Sequence, residues 1–148
     1  MNDFDPLKLE NQLCFPLYAA SKELVRRYKP HLDKLDLTYT QYIAMMVMWE
    51  HKTISLKELG RYLFLDSGTL TPLLKKLEAK GYVVRERSHE DERNLIVQIT
   101  DEGMRLKEKA AVVPECMGRC IPLSPEEAGA LYTILYKILG TWNAEEEK

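Results

Sequence analysis

Leu9, Leu13, Leu17, Ala20, Leu24 and Tyr28 recur at intervals of three or four, the pattern of a long amphipathic helix closed off before Pro30. Pro16 falls inside that stripe. It removes a backbone donor and crowds the Gln12 carbonyl, which predicts either a kink or a helix that starts again just beyond Cys14. A second helix follows a Thr38 or Thr40 cap through Ile43, Met46 and Val47 to about His51. It is apolar on most faces and is expected to be largely buried. Ser55-Leu56-Lys57-Glu58 has the spacing of a capping box and opens a short helix to Leu63. Asp66 caps the next helix, which turns Leu70, Leu73, Leu74 and Leu77 inward and closes at Gly81. Tyr82–Arg87 and Leu95–Ile99 read as paired strands around the polar loop 88–94. Thr100 or Asp101 then caps a helix running toward Pro114. Ser124-Pro125-Glu126-Glu127 is a second capping box, opening a terminal helix that carries Leu131, Ile134, Leu135, Ile138 and Trp142.

Two helices joined by a turn of about three residues are a helix-turn-helix candidate. Followed by a two-stranded hairpin with a charged tip, they make a winged helix. The expected fold is therefore mainly α with a small β-hairpin wing: a winged helix-turn-helix over about 37–100, flanked by helical segments at about 1–36 and 101–148. The chain has 148 residues, 45% apolar and 30% charged, which suits one packed domain and excludes disorder. Its longest apolar run, Tyr42–Trp49, is far short of the roughly 20 residues needed to cross a bilayer. The acidic start Met1-Asn2-Asp3-Phe4-Asp5 lacks the pattern of a signal peptide, so a cytoplasmic location is expected. The net charge of −2 offers no overall basic field. The stretch 51–100 is nevertheless mildly basic, with nine Lys/Arg against seven Asp/Glu, and the flanks are acidic. Three cysteines are too few for a disulfide scaffold and read as free thiols.

If the Asp66–Lys80 helix packs through its leucines, Ser67, Thr71 and Lys75 share an outer face, with Thr69 and Lys76 beside them. Short hydroxyls reach base edges or phosphates in a major groove, lysines neutralise phosphate, and Gly68 leaves room for close approach. Pro72 leaves the Gly68 carbonyl without its helical partner. The wing carries Arg87 and Arg93, suited to a narrow, electronegative minor groove, and Asp91 is placed to orient Arg93. From these residues alone, a solvated helix face and a charged hairpin remain an equal alternative.

The run Leu65-Asp66-Ser67-Gly68-Thr69-Leu70-Thr71-Pro72-Leu73-Leu74-Lys75-Lys76-Leu77-Glu78, followed by Asp91-Glu92-Arg93, strongly resembles the winged-helix repressors of the MarR family. Asn11-Gln12-Leu13-Cys14-Phe15, with Tyr28-Lys29-Pro30 and Leu37-Thr38-Tyr39-Thr40, looks like the branch that senses organic hydroperoxides. The resemblance spans roughly 7–113. It implies a homodimer paired through its N- and C-terminal helices, binding double-stranded DNA at a near-palindromic operator with half-sites roughly 34 Å apart. It also implies that Cys14 is the redox-sensing thiol and that Tyr28 and Tyr39 are the phenols that hydrogen-bond its sulfur. An organic hydroperoxide, the reactive effector, would oxidise Cys14 to a sulfenic acid and release the repressor. In two-cysteine members a late cysteine of the other subunit resolves the sulfenate, and Cys120 and Cys116 are both candidates. Pro16 departs from the branch's pattern.

Other readings stay open at this point. A cysteine on a helix is by default a small buried hydrophobe, and Cys116 and Cys120 can be bystanders at an interface. A thiol peroxidase would use Cys14 as nucleophile but leaves the wing and recognition helix unexplained, so a non-enzymatic regulator is the expectation. A metal sensor would draw on Cys116, Cys120 and one of His31, His51 or His89, but lacks the second ligand pair of a zinc site. The nearest rival is a repressor of the same family released by a phenolic, quinone or electrophile ligand. The favoured reading calls for no cofactor, no metal and no membrane.

Overall fold

The computed structural model describes residues 4–90 and 94–146, with side chains to residue 142. It divides into two compact units, Met1–Pro114 and Glu115–Lys148. The first contains α1 (Cys14–Asp33), α2 (Tyr39–His51), β1 (Thr53–Ser55), α3 (Leu56–Leu63), α4 (Ser67–Ala79), β2 (Val83–Arg87), β3 (Leu95–Ile99) and α5 (Asp101–Ala110). Helix α6 (Val112–Cys120) leads into the second unit, which holds α7 (Pro125–Glu146).

The start of α1 resolves the Pro16 ambiguity. Leu9–Asn11 is a separate short 3₁₀ turn, Leu13 is the N-cap, and Pro16 falls in the first helical turn, where a missing N–H leaves no bond unmade. The expected stop before Pro30 is not observed: the helix runs through Pro30 to Asp33. Pro30 gives the Arg26 carbonyl no donor. The turn is held instead by buried Leu32 and by the Lys29–Asp33 ion pair at 2.8 Å. Leu32 is the buried residue of α1, while Leu13, Phe15, Leu17 and Tyr18 all face solvent. Among the described residues of its own unit, the apolar stripe of this helix therefore has little to pack on.

Thr38, not Thr40, caps α2. Its hydroxyl accepts from the Gln41 amide while the Gln41 side chain accepts from the Thr38 amide, a complete capping box. The helix is largely buried, as expected: Ile43 and Val47 are half-buried, Met46 is exposed, and Tyr42, Met45, Met48 and Trp49 form its buried face. These side chains meet Leu59 from α3 and Leu70, Leu74 and Leu77 from α4 as the core of the first unit. The turn between α3 and α4 has the expected three residues, with Phe64 in the left-handed region and Asp66 capping α4 through the Thr69 amide at 2.7 Å.

The wing has one strand more than the hairpin expected. Thr53–Ser55 pairs antiparallel with β3, giving the order β1-β3-β2, with Ile54 opposite Val97 and Arg85 opposite Val97 on the other side. Ile54, Val83 and Val97 point into the core. The helix expected to run toward Pro114 stops at Ala110, and α6 begins after Ala111. Pro114 cannot donate to the Ala110 carbonyl and its ring crowds that oxygen, so the break falls one turn before the proline. The expected Ser124 capping box of α7 is complete, with Ser124 and Glu127 each accepting from the other's amide.

Gly103 packs the foot of the wing against α5. A Cβ there would lie 2.3 Å from the Tyr82 carbonyl oxygen and 2.8 Å from an Ile99 side-chain carbon. The Gly103 carbonyl also accepts from the buried Trp49 indole at 2.9 Å. Gly103→Ala is expected to destabilise the fold by about 1–3 kcal/mol, lowering the melting temperature by about 2–4 °C per kcal/mol. An unchanged melting curve would contradict this packing.

Candidate nucleic-acid interface and thiol site

On α4 the leucines turn inward as the pattern requires, and Ser67, Gly68, Thr69, Lys75 and Lys76 are exposed on the other side with Thr71 half-buried beside them. The Thr71 hydroxyl donates to the Ser67 carbonyl at 2.8 Å. Its proton is thus engaged, and the oxygen is left as an acceptor, matched to the exocyclic amino groups of adenine or cytosine. Ser67 keeps a rotatable hydroxyl that serves donors and acceptors alike. Asp66 at the cap is held below the usual carboxylate range by the Thr69 amide and hydroxyl.

Arg87 ends β2 on the exposed side of the wing, and the loop beyond it is closed by the Ser88 amide donating to the Asn94 carbonyl at 2.7 Å. Asp91 and Arg93 lie outside the described residues.

Sequence reasoning missed what fixes the helix relative to the wing. One Glu78 carboxylate oxygen accepts from the Arg85 guanidinium at 3.2 Å, and the other accepts from the Arg85 backbone amide at 3.0 Å. Arg85 is largely buried in this contact, and its guanidinium lowers the Glu78 carboxyl below its ordinary value. The opposite charges on either side of Gly81, which turns at φ +84°, were a readable signal. A second missed tie comes from Lys80 at the end of α4. Its ammonium reaches the Gln41 side chain at 3.2 Å, the Asp36 carboxylate at 3.5 Å and the Asp36 carbonyl. Gln41 is the buried polar residue of the core, so this tie joins the end of α4 to the capping box of α2.

The thiol candidates stand on two helices, α1 and α6. Cys14 is exposed in the first turn of α1, at the positive end of the helix dipole. Tyr28 and Tyr39 pack on each other with ring centroids 4.9 Å apart, near the far end of α1 and the start of α2. Tyr28 follows Cys14 by fourteen residues of continuous helix, so about 21 Å separates their positions along the axis at a rise of about 1.5 Å per residue. One chain does not bring the thiol to its expected phenols. Burial raises both phenols above the usual tyrosine range, with the Tyr28 charge adding to the effect on Tyr39. At neutral pH they are protonated donors. Tyr42, one helical turn beyond Tyr39, completes the cluster at 5.9 Å from Tyr28 and was not anticipated. Cys116 is half-buried and Cys120 exposed on α6. Among the described residues, no three His, Cys, Asp or Glu side chains are grouped to hold a metal ion, and no helix is long and apolar enough to cross a membrane.

A three-residue helix-turn-helix with a polar outer face, braced to a three-stranded wing, defines a winged-helix DNA-reading unit. Residues 26–110 match the family of transcriptional regulators SarA/Rot. The chain is 49% identical over 140 residues, 95% of each chain, to the organic hydroperoxide resistance transcriptional regulator of Bacillus subtilis (strain 168). Reduced AbfR bound to DNA superposes with a TM-score of 0.76 at 36% identity, covering 92% of this chain and 93% of that one. Disulfide-formed AbfR gives a TM-score of 0.64 at 37% identity, covering 88% and 92%. The chain belongs to the SarA/Rot and MarR family of winged-helix transcriptional regulators.

The Glu78–Arg85 brace has a pH signature. A depressed carboxyl stabilises the fold above its ordinary value of 4.5, and that contribution is lost as the pH falls through the lower folded-state value. Glu78→Gln is expected to lower stability at pH 7 and to converge with wild type in acid, as read by denaturant unfolding across pH. A gap that persists unchanged at pH 2–3 would refute the charged brace.

Proposed function

We propose that the chain is a homodimeric repressor that binds a near-palindromic operator when reduced and leaves it when an organic hydroperoxide oxidises Cys14. The observation that carries this reading is the layout of α1. The thiol stands at one end, the two protonated phenols near the other, and the helix between them exposes an apolar stripe. A second α1 laid antiparallel on that stripe puts the thiol of each subunit beside the partner's phenols. Helix α7 adds exposed apolar surface, with Leu131, Tyr132, Ile134, Tyr136 and Trp142 all open to solvent.

In this dimer each α4 enters a major groove, with Lys75 and Lys76 on phosphates and Ser67, Thr69 and Thr71 toward base edges, Gly68 allowing close approach. Arg87 and Arg93 carry the wing to the adjoining minor groove, with Asp91 orienting Arg93. In this arrangement the phenol protons of Tyr28 and Tyr39 are the hydrogen-bond donors offered to the partner's Cys14 sulfur. The thiolate attacks one peroxide oxygen. The O–O bond breaks, the alkoxide leaves and takes a proton to become an alcohol, and Cys14 becomes a sulfenic acid. The sulfur no longer accepts the phenol bonds as a thiolate, and the two subunits shift. A Cys120 or Cys116 thiolate of the other subunit then attacks the sulfenic sulfur, forming a disulfide and expelling hydroxide, which takes up a proton from solvent and leaves as water. Release of the repressor exposes peroxide-defence genes to transcription. Cytoplasmic DNA is the site of action.

Operator binding by wild type and Cys14→Ser, before and after an alkyl hydroperoxide, tests the reading. Wild type is expected to lose affinity on oxidation, while Cys14→Ser stays bound. Both are expected to bind more weakly as salt rises, because each phosphate contact displaces a counterion. Release of both proteins would instead make the effector a bound phenolic, quinone or electrophile.

A further inference from the structure

The reading above uses one late cysteine, yet α6 carries two. Cys116 lies within the helix and Cys120 is its last residue, one turn on, and both are free thiols. Residues at i, i+4 on a helix hold their Cβ atoms about 5–6 Å apart. A relaxed disulfide needs them about 3.5–4.5 Å apart. The pair is too wide to close on itself without deforming the helix. It is wide enough for one soft atom between the sulfurs, because two metal–thiolate bonds of about 2.3 Å span more than one S–S bond of about 2.05 Å.

The surroundings decide what that atom is. Glu115, on the same helix, is engaged by Arg119 at 2.6 Å. Among the described residues no third His, Cys, Asp or Glu joins the two thiols in a metal-binding group. A tetrahedral ion such as zinc is therefore poorly served. A trivalent metalloid that keeps its own organic substituent needs only two sulfurs. Gly118, whose added Cβ would meet nothing within 4 Å, leaves the turn between the cysteines open.

We propose that Cys116 and Cys120 form a bidentate dithiol site for trivalent organoarsenicals and chemically similar thiophiles. With an arsenical R–As=O, each thiol forms an S–As bond, the As=O bond is lost, and the two thiol protons leave with that oxygen as water. No atom changes oxidation state. On the reading proposed above, occupancy would remove both resolving candidates at once and hold oxidised Cys14 at the sulfenic acid.

The test uses full-length Cys14→Ser protein, so it stands apart from peroxide sensing, with one equivalent of phenylarsine oxide followed by intact mass analysis and thiol titration. The expected result is one arsenical per chain, two thiols consumed, and retention against excess monothiol with release by a dithiol. Cys14→Ser/Cys116→Ser and Cys14→Ser/Cys120→Ser are expected to hold the arsenical on the order of 100-fold more weakly, with circular dichroism showing that each is folded. Equal retention by either double variant, two arsenicals per chain, or an adduct linking two chains would overturn the site.

Discussion

The rise of an α-helix, about 1.5 Å per residue, constrains this protein more than any single contact. It keeps Cys14 and Tyr28 at separate ends of α1, although the resemblance that first picked them out pairs sulfur with phenol. It also gives each group a suitable setting: the thiol at a positive helix end, the phenols in a half-buried cluster that keeps them protonated. On the proposed reading, neither setting is a complete sensing site by itself. The apolar stripe between them, left open by the chain's own packing, is the surface on which a second subunit would complete the pair.

From the phenols, contact is continuous to the DNA-reading unit. Tyr28 and Tyr39 pack on Tyr42, Tyr42 meets Trp49 edge-on at a centroid distance of 6.4 Å, and the Trp49 indole donates to Gly103 at the foot of the wing. Helix α4 is tied at its end to the capping box of α2 through Lys80 and to the wing through Glu78 and Arg85. Helix and wing are thereby fixed to one another and to α2, and on the proposed reading a displacement at the phenols would carry both together. On the proposed reading, a pair of such bodies reads DNA when their separation matches the helical repeat, and a shift between subunits would release it.

Most elements were legible because local chemistry marks them. Asp66, Ser55, Thr100 and Ser124 cap their helices as their spacing requires, and the α4 leucines are buried. The departures have local causes. Pro30 did not end α1, because Leu32 has a buried site to fill. β1 is only three residues long and carries too little pattern to read alone. The buried face of α2 could not be chosen among so many apolar residues without knowing where α3 and α4 lie. Of the site, the exposed α4 face was readable from periodicity. The Glu78–Arg85 tie left one signal, opposite charges flanking the Gly81 turn, while the Lys80–Gln41 tie left none, since it depends on how separate elements dock. That Cys14 and Tyr28 are far apart follows from counting residues, but only once the helix between them is known to be unbroken at Pro16 and not restarted after Cys14.

The central claim is that the sensing site exists only between subunits, and a mixed dimer tests it most directly. One chain carries Cys14→Ser and the other Tyr28→Phe with Tyr39→Phe, purified as a heterodimer by two different tags. Neither homodimer holds a complete thiol–phenol site. If the site forms between subunits, the heterodimer regains one and leaves the operator on treatment with an alkyl hydroperoxide at a rate close to that of wild type. If the heterodimer responds no faster than the two parent homodimers, the thiol and phenols do not meet across the interface and the account is contradicted.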